Sequence, residues 1–261
     1  MDQAQLYSLY ETDPSPVVAF LRFLASSYAL GPDSSGSHGP GSSGARMAVL
    51  DVGCGPGRLL VPIAGLGWTV TGLEPDPEYA AAARRAAQGI EGVRVRDGGF
   101  AEIDEENRYD LIAAVNGPFS YVPGASARCD AVARAARALR PGGVLFLHFS
   151  NFWWILRHYR EPPEQTKTID GVTVLRTAEH RIDYHAGTFT HVDTFRWREV
   201  DGSQHQRQKT HVMYMLGPPE TERLLDEAGF IDVRTFNAYQ DREARRLTGK
   251  RVLIAARRPP A

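Results

Sequence analysis

Three glycines at alternate positions, Gly53, Gly55 and Gly57, follow the apolar run Ala48–Val52, in a loop that reads Asp51-Val52-Gly53-Cys54-Gly55-Pro56-Gly57-Arg58. Glycines so spaced let the backbone turn sharply. They also let a ligand lie against main-chain atoms with no Cβ in the way. A second apolar run, Thr69-Val70-Thr71-Gly72-Leu73, ends at Glu74, about 20 residues past the loop, where a carboxylate can accept from both hydroxyls of a ribose. Asp51 precedes the first glycine and can engage a cationic group directly or through water. Three further side chains could move a proton: Tyr121, His148 and His211. Proton transfer needs such a group within reach of the reacting atom, so their placement by the fold decides what each can do.

The elements that must position these residues follow from periodicity. Strands are expected at Ala48–Val52, Thr69–Leu73, Val93–Arg96, Tyr109–Val115 and Val144–Phe149, with helices at about Arg58–Leu66, Asp76–Gln88 and Ala127–Leu139. Asp76 suits a helix cap and Pro77 a first turn; Pro141-Gly142-Gly143 reads as a helix stop. Strands alternating with helices imply a doubly wound, mostly parallel sheet with right-handed crossovers. Ligands of such sheets bind at the carboxyl ends of the strands. That places Tyr121 after the fourth strand and His148 near the end of the fifth.

The pattern then changes. Val172–Leu175, His180–His185, Thr188–Arg198 and Gln206–Leu216 are strand-like, with turns at Asp170-Gly171, Ala186-Gly187 and Asp201-Gly202. Asp-Gly between alternating runs signals hairpins, so an antiparallel insert is expected after the fifth strand. Helical chemistry returns at Pro219–Ala228, and Val233–Tyr239 with Val252–Ala256 completes the sheet as a hairpin. Four units result: residues 1–45, an N-terminal helical lid with a Gly/Ser/Pro-rich linker containing His38; 46–149, a ligand-binding core; 150–216, the insert; and 217–261, the completion of the core. The full reading is α/β, a seven-stranded Rossmann-like sheet with an antiparallel β insert and a helical lid.

Bulk properties narrow the function. The 261 residues carry a formal net charge of −1, which gives no global attraction to nucleic acid or an anionic membrane. The basic cluster Arg245, Arg246, Lys250 and Arg251 reads as a solvated face. The two cysteines, Cys54 and Cys129, make a disulfide framework unlike what the chain needs. The start lacks a basic n-region and an apolar h-region, and no apolar run is long enough to span a bilayer; a cytoplasmic location is expected. The eight histidines are dispersed, and no metal is expected.

Val49–Gly57 followed by Glu74 resembles the first two motifs of class I S-adenosylmethionine-dependent methyltransferases. The Gly-x-Gly-x-Gly spacing favours that ligand over a dinucleotide, whose loop more often reads G-x-G-x-x-G around a pyrophosphate. The resemblance runs from about Tyr7 to Arg257. It implies S-adenosyl-L-methionine as cofactor, Glu74 as its ribose acid and Asp51 at its ammonium end. It also implies that Gly53, Cys54, Gly55, Gly57 and Pro75 lie beside the cofactor, and that Asn116 lies at the site edge. At the adenine end the family's acid-apolar pair matches Glu102-Ile103. That puts Gly99 where an Asp is usual and leaves the role to Asp97 or to main chain, with Phe100 supplying an apolar face.

A looser resemblance points to small-molecule N-methyltransferases of the amino-sugar and glycine type, which carry a Tyr-rich lid and an antiparallel insert. It says little about the acceptor; places at strand ends, on the lid and on the insert make Tyr121, His148 or His211 the candidate catalytic groups, and Tyr7, Tyr10, Trp153 and Tyr214 the candidate acceptor-binding ones. The expected partner is a small-molecule acceptor, with neither nucleic acid nor membrane involved and with a homodimer through the insert. Two alternatives stay open. Asn116-Gly117-Pro118-Phe119 is close to the Asn-Pro-Pro-Phe motif of adenine-amino methyltransferases, and a non-catalytic cofactor-binding dimer would also explain the glycine loop.

Overall fold

The central strands are buried along almost their whole length because helices cover both faces of the sheet. In the computed structural model, which describes residues 1–31, 46–160, 162–169, 171–199 and 201–261, these are β1 (Ala48–Val52) and β4 (Tyr109–Ala114), the latter buried at every position. With β2 (Thr69–Glu74), β3 (Val93–Asp97), β5 (Leu139–Ser150), β10 (Ile231–Phe236) and β11 (Arg251–Arg257) they form a seven-stranded sheet in the order β10-β11-β5-β4-β1-β2-β3. β11 runs antiparallel to both β5 and β10. The chain winds outward from β1 through β2 to β3, then returns to β4 on the other side of β1. That reversal opens a crevice at the carboxyl ends of β1 and β4.

One face packs α5 (Gly124–Ala138) and α7 (Pro218–Glu227) over Leu50, Ile112, Leu145 and Ile254. The other packs α2 (Ser15–Ser27) and α3 (Leu60–Ala64) over Val49, Leu111, Phe146 and Leu253. α2 presents Val17, Phe20, Leu21 and Leu24 at helical spacing, and Phe20 sits 5.3, 5.1 and 5.7 Å from the rings of Phe146, Phe236 and Tyr239. The short α1 (Gln3–Ser8) is capped by Asp2, whose side chain accepts from the Gln5 N–H. α4 (Pro77–Ala86) is capped by Asp76, as its sequence implies.

After β5 and α6 (Phe152–His158) the chain forms a second sheet, β6-β7-β8-β9, every neighbouring pair antiparallel. Its strands are β6 (Gln165–Ile169), β7 (Val172–Asp183), β8 (Thr188–Arg198) and β9 (Gln204–Tyr214). α1 covers its small core of Val172, Val174, Phe195 and Trp197, into which Leu6 inserts.

Several elements differ from the sequence reading for identifiable reasons. The helix expected over Arg58–Leu66 shrinks to Leu60–Ala64, because Gly57 sits at φ +94° and turns the chain just before it. Pro141-Gly142-Gly143 does not precede the fifth strand but bends within it. There the Gly142 N–H donates to the carbonyls of Arg258 and Pro259. The segment Val172–Leu175 and the first four residues of His180–His185 belong to one strand, β7, which ends at Asp183. β6, exposed throughout and polar up to its last residue, Ile169, carries no alternation that would reveal it. Residues 32–45 of the linker, including His38, and Asp170 of the first expected turn lie outside the described residues.

Replacing Phe20 with alanine deletes the ring that joins α2 to β5, β10 and the loop at Tyr239. Denaturant unfolding is expected to show a loss of about 3–5 kcal/mol. A loss below about 1 kcal/mol would mean that α2 is not part of the cooperative core.

Candidate active site

β1 ends by turning through Gly53, at φ +69°, where a Cβ would come within 2.5 Å of the Pro118 ring. Only glycine permits that turn and that approach together. The Gly53 and Cys54 N–H groups donate to the Leu73 carbonyl, which ties the loop to the end of β2. The next glycine, Gly55 at φ +57°, has open space where a Cβ would stand, and its N–H donates to Glu74 Oε2 at 2.8 Å. The other oxygen, Oε1, accepts from the Asp76 N–H at 2.9 Å. Main chain on both sides thus holds the Glu74 carboxylate still, and each oxygen keeps a lone pair for a further donor.

These groups line a cavity of about 660 Å³ at the crevice between β1 and β4. Asp51 also lines it, is 2% exposed, and has an Oδ2 atom with no hydrogen-bond partner. Burial pushes its pKa up to about 7, with Arg58 opposing and Glu74 adding to the shift. Burial also raises Glu74, against the two main-chain N–H bonds. An unpaired buried carboxylate costs several kcal/mol unless a cation reaches it. The cavity therefore suits a ligand with a cationic end at Asp51, a diol at Glu74 and a body free of phosphate against the glycine floor. S-adenosylmethionine has all three.

Beyond Glu74 the cavity wall is Pro75, Gly99, Phe100, Ala101 and Glu102, facing Val122, Pro123 and Ala127. Phe100 is buried edge-on to Phe119 at 5.4 Å. Gly99 donates its N–H to Glu102 Oε2 at 2.7 Å. Asp97 is not part of this wall: it pairs with Arg84 at 2.8 Å on the exposed edge of α4. Gly57 also stands back from the cavity and lets α4 approach, since a Cβ there would lie 3.0 Å from Ala83 Cα.

At the opposite wall, Tyr121 OH and His211 Nδ1 are 2.7 Å apart. Tyr121 belongs to a short helical turn, Pro118–Tyr121, and His211 to β9, so this bond joins the core to the insert across the cavity mouth. Burial and the neighbouring His191 hold His211 down to about 4. It is neutral at pH 7 and can accept a proton. Burial raises the Tyr121 phenol, as do the nearby Tyr7, Asp193 and Glu74. Tyr7 lines the cavity too, its ring 5.3 Å from that of Tyr79.

The remaining candidates lie elsewhere. His148 is buried beneath the floor, where Nδ1 accepts from the Asn116 N–H at 3.2 Å and the Tyr239 hydroxyl at 2.6 Å. Burial, then Arg251 and Arg58, lower it to about 3. It holds in place Asn116, which does line the cavity, at φ +67°. Tyr10 packs on Phe195 and donates to the Val174 carbonyl at 3.0 Å, fastening the end of α1 to the insert. Trp153 is 60% exposed against Gly217, beside a smaller hollow formed with Pro218, Pro219 and Arg246. Tyr214 closes β9 opposite Thr188 and is not among the lining residues. No histidine, cysteine or carboxylate cluster among the described residues is arranged to hold a metal.

Sequence reasoning missed Lys209 and Glu11. Lys209 lines the cavity, pairs with Asp76 Oδ2 and lies 5.0 Å over the Tyr79 ring. It stands two residues before His211 on the same strand, so alternation along β9 could have revealed it. Glu11, paired with Arg58 at 3.7 Å, had no periodic signal.

The Asp51 geometry has a pH consequence. Its folded pKa lies above the unfolded one, so the ligand-free protein loses stability as pH rises from about 4 to about 7. Asp51→Asn is therefore expected to raise the melting temperature by several degrees at pH 8 and by much less at pH 5. Equal effects at both pH values in a thermal scan would contradict an unpaired carboxylate here.

Residues 49–143 match the family model described as a methyltransferase domain. A ubiquinone biosynthesis O-methyltransferase from Bradyrhizobium sp. (strain ORS 278) is 34% identical over 113 residues, 43% of this chain and 42% of that protein. An uncharacterized methyltransferase from Mycobacterium avium (strain 104) is 30% identical over 56% of each chain. This chain thus spans about half, or less, of the length of the curated relatives it matches. Among solved structures, the sugar N-methyltransferase KedS8 from Streptoalloteichus sp ATCC 53650 superposes with a TM-score of 0.75 at 19% identity, over 99% of this chain and 93% of that one. An S-adenosylmethionine-dependent methyltransferase from Clostridium acetobutylicum ATCC 824 gives 0.75 at 14% identity, over 98% and 97%. At such identities the superpositions speak for the fold, insert included, while the sequence match covers the glycine loop, Glu74 and β4. Residues 49–143 are thus a methyltransferase domain, set in a fold shared with solved S-adenosylmethionine-dependent methyltransferases.

Proposed function

We propose that this protein transfers a methyl group from S-adenosylmethionine to a nitrogen or oxygen of a small molecule. The observation that carries this reading is the placement of the Tyr121–His211 pair on the same cavity as Asp51 and Glu74. Glu74 receives the ribose hydroxyls, Asp51 faces the cationic end, and Gly53 to Gly55 form the floor. When bound, the cofactor would supply an electrophilic methyl on a sulfonium, a leaving group able to keep the carbon–sulfur electron pair in a displacement by the acceptor's lone pair.

The chain's own residues orient the acceptor and take its proton. Positioning accounts for much of the rate in such a displacement. Neutral His211 is the base, and the Tyr121 hydroxyl fixes its ring through Nδ1, leaving Nε2 for the acceptor. α1 and the insert roof the cavity through Tyr7, Lys209 and His211, so the acceptor must be small. The lid, core, insert and final hairpin divide the work: the core holds the donor, and the lid and insert hold the acceptor.

Glu74→Ala removes two charge-assisted acceptors, each worth about 1.5–3 kcal/mol. Calorimetric titration with S-adenosylhomocysteine is expected to show an affinity loss of about 100-fold or more. Unchanged affinity would refute the ribose assignment. An acceptor screen read by mass spectrometry covers amines, phenols and sugar amines. With an acceptor so found, Tyr121→Phe and His211→Ala are expected to lower turnover about 10² to 10⁴-fold while S-adenosylhomocysteine binds almost as before. Equal losses in binding and turnover would make the pair a scaffold.

A further inference from the structure

The insert sheet carries three histidines in one row. Strand pairing sets His180 opposite His191 and His191 opposite His211, across β7, β8 and β9. Residues directly opposite one another across adjacent strands have neighbouring side chains. The rings of His180 and His191 are 4.7 Å apart, and those of His191 and His211 are 6.0 Å apart. His180 Nε2 lies 2.5 Å from His191 Nδ1. His191 Nε2 lies 2.9 Å from Oδ1 of Asp193, a buried carboxylate that also accepts from Arg176 Nε at 2.7 Å. At the outer end, His180 Nδ1 is 3.2 Å from the Tyr159 hydroxyl. Asp193, His191, His180 and Tyr159 are thus one unbroken hydrogen-bonded chain, and the His191 ring within it is a direct neighbour of the His211 ring.

Such a chain has two proton arrangements. In one, His191 is neutral: Nε2–H donates to Asp193, Nδ1 accepts from His180 Nε2–H, and His180 Nδ1 accepts from Tyr159. In the other, a proton has entered at His180 Nδ1 and the His180 Nε2 proton has moved to His191 Nδ1. The charge then rests on His191 beside anionic Asp193. Each imidazole takes a proton on one nitrogen and gives one from the other, so only protons move.

We propose that Asp193, His191 and His180 form a proton wire behind the cavity wall that keeps a proton on His191 and releases it through His180 to Tyr159 when His211 takes one from the acceptor. The proposal rests on the methyl-transfer reading above. As the acceptor's N–H or O–H bond breaks, its electron pair stays on the acceptor and the proton goes to His211 Nε2. Two imidazolium rings 6.0 Å apart repel. The His191 Nδ1 proton therefore moves to His180 Nε2, and the His180 Nδ1 proton passes to Tyr159 and solvent. One charge enters the row and one leaves, with no proton crossing between His211 and His191. Asp193, His191 and His180 act through His211 and are positioning residues.

Other groups face this row. Arg176 on β7 pairs with Asp193 and lies 5.3 Å from the Tyr10 ring. Lys209 on β9 and Arg176 both disfavour charge on His211, as does His191, while Asp193 favours it. Tyr121 reaches in from the core. Burial and then His191 hold His180 down to about 4, which suits a ring that passes a proton on without keeping it.

The test is long-range ¹⁵N–¹H NMR of histidine-labelled protein with S-adenosylhomocysteine, followed from acidic to alkaline pH. In the wild type, the two rings are expected to titrate as a coupled pair: as pH falls, His191 takes its second proton first and His211 takes its own only in a later step. In His191→Gln, the His211 midpoint is expected to rise by about one pH unit or more. Independent single-step titrations in the wild type, or an unmoved His211 midpoint in His191→Gln, would overturn the wire. If His191→Gln does not fold, His180→Gln removes only the exit. Its His191 signals are then expected to show slowed proton exchange, and unchanged exchange would overturn the proposal equally. Calorimetry on the same samples separates the two readings. Wild type that binds S-adenosylhomocysteine but titrates independently loses the wire alone. Wild type that does not bind it loses the methyl-transfer reading, and the titrations still judge the wire.

Discussion

Two main-chain N–H groups, from Gly55 and Asp76, clamp the Glu74 carboxylate at 2.8 and 2.9 Å. The clamp joins three elements: the glycine loop after β1, the end of β2, and the cap of α4. Its geometry requires the positive φ at Gly53 and Gly55, the parallel pairing of β1 with β2, and the cap at Asp76 that starts α4. Because the backbone supplies the donors, the carboxylate has a fixed position before any ligand arrives. Pre-ordering of this kind removes an entropic cost that binding would otherwise carry.

The same residues extend outward to the roof. Asp76 pairs with Lys209, and Glu78 with Arg207 at 2.6 Å, both from β9. The Gln3 N–H reaches Glu78 Oε2 at 3.0 Å from α1. The first turn of α4 is therefore the common anchor of cofactor floor, lid and insert. His211, two residues beyond Lys209 on β9, owes its position over the cavity to this anchoring. The wall that carries Tyr121 and His211 and the wall that carries Glu74 are tied to a single helix terminus.

The core was legible because its signals are local. The loop Gly53–Gly57, Glu74 at a strand end, and Asp76-Pro77 at a helix start each carry a backbone requirement that residue type reveals. So did the mostly apolar runs of β1 and β4, each broken by one aspartate. The acceptor side was less legible because its geometry comes from pairing between strands. His180, His191 and His211 look dispersed along the chain, yet antiparallel register aligns them. β6 is exposed throughout and shows no alternation, and Glu11 meets Arg58 only through tertiary packing. Trp153 and Tyr10 illustrate the opposite error: aromatic residues near the right elements face other surfaces, because helix phase and strand parity decide orientation.

The central claim is that Glu74 and Asp51 hold the two ends of one adenosine-bearing ligand above the glycine floor. A crystal structure of the protein with S-adenosylhomocysteine tests it most directly. The account predicts both ribose hydroxyls within hydrogen-bonding distance of the Glu74 carboxylate and the ligand's ammonium group at Asp51, either directly or through one water. A ligand bound elsewhere, or one whose ribose leaves Glu74 untouched, would contradict it.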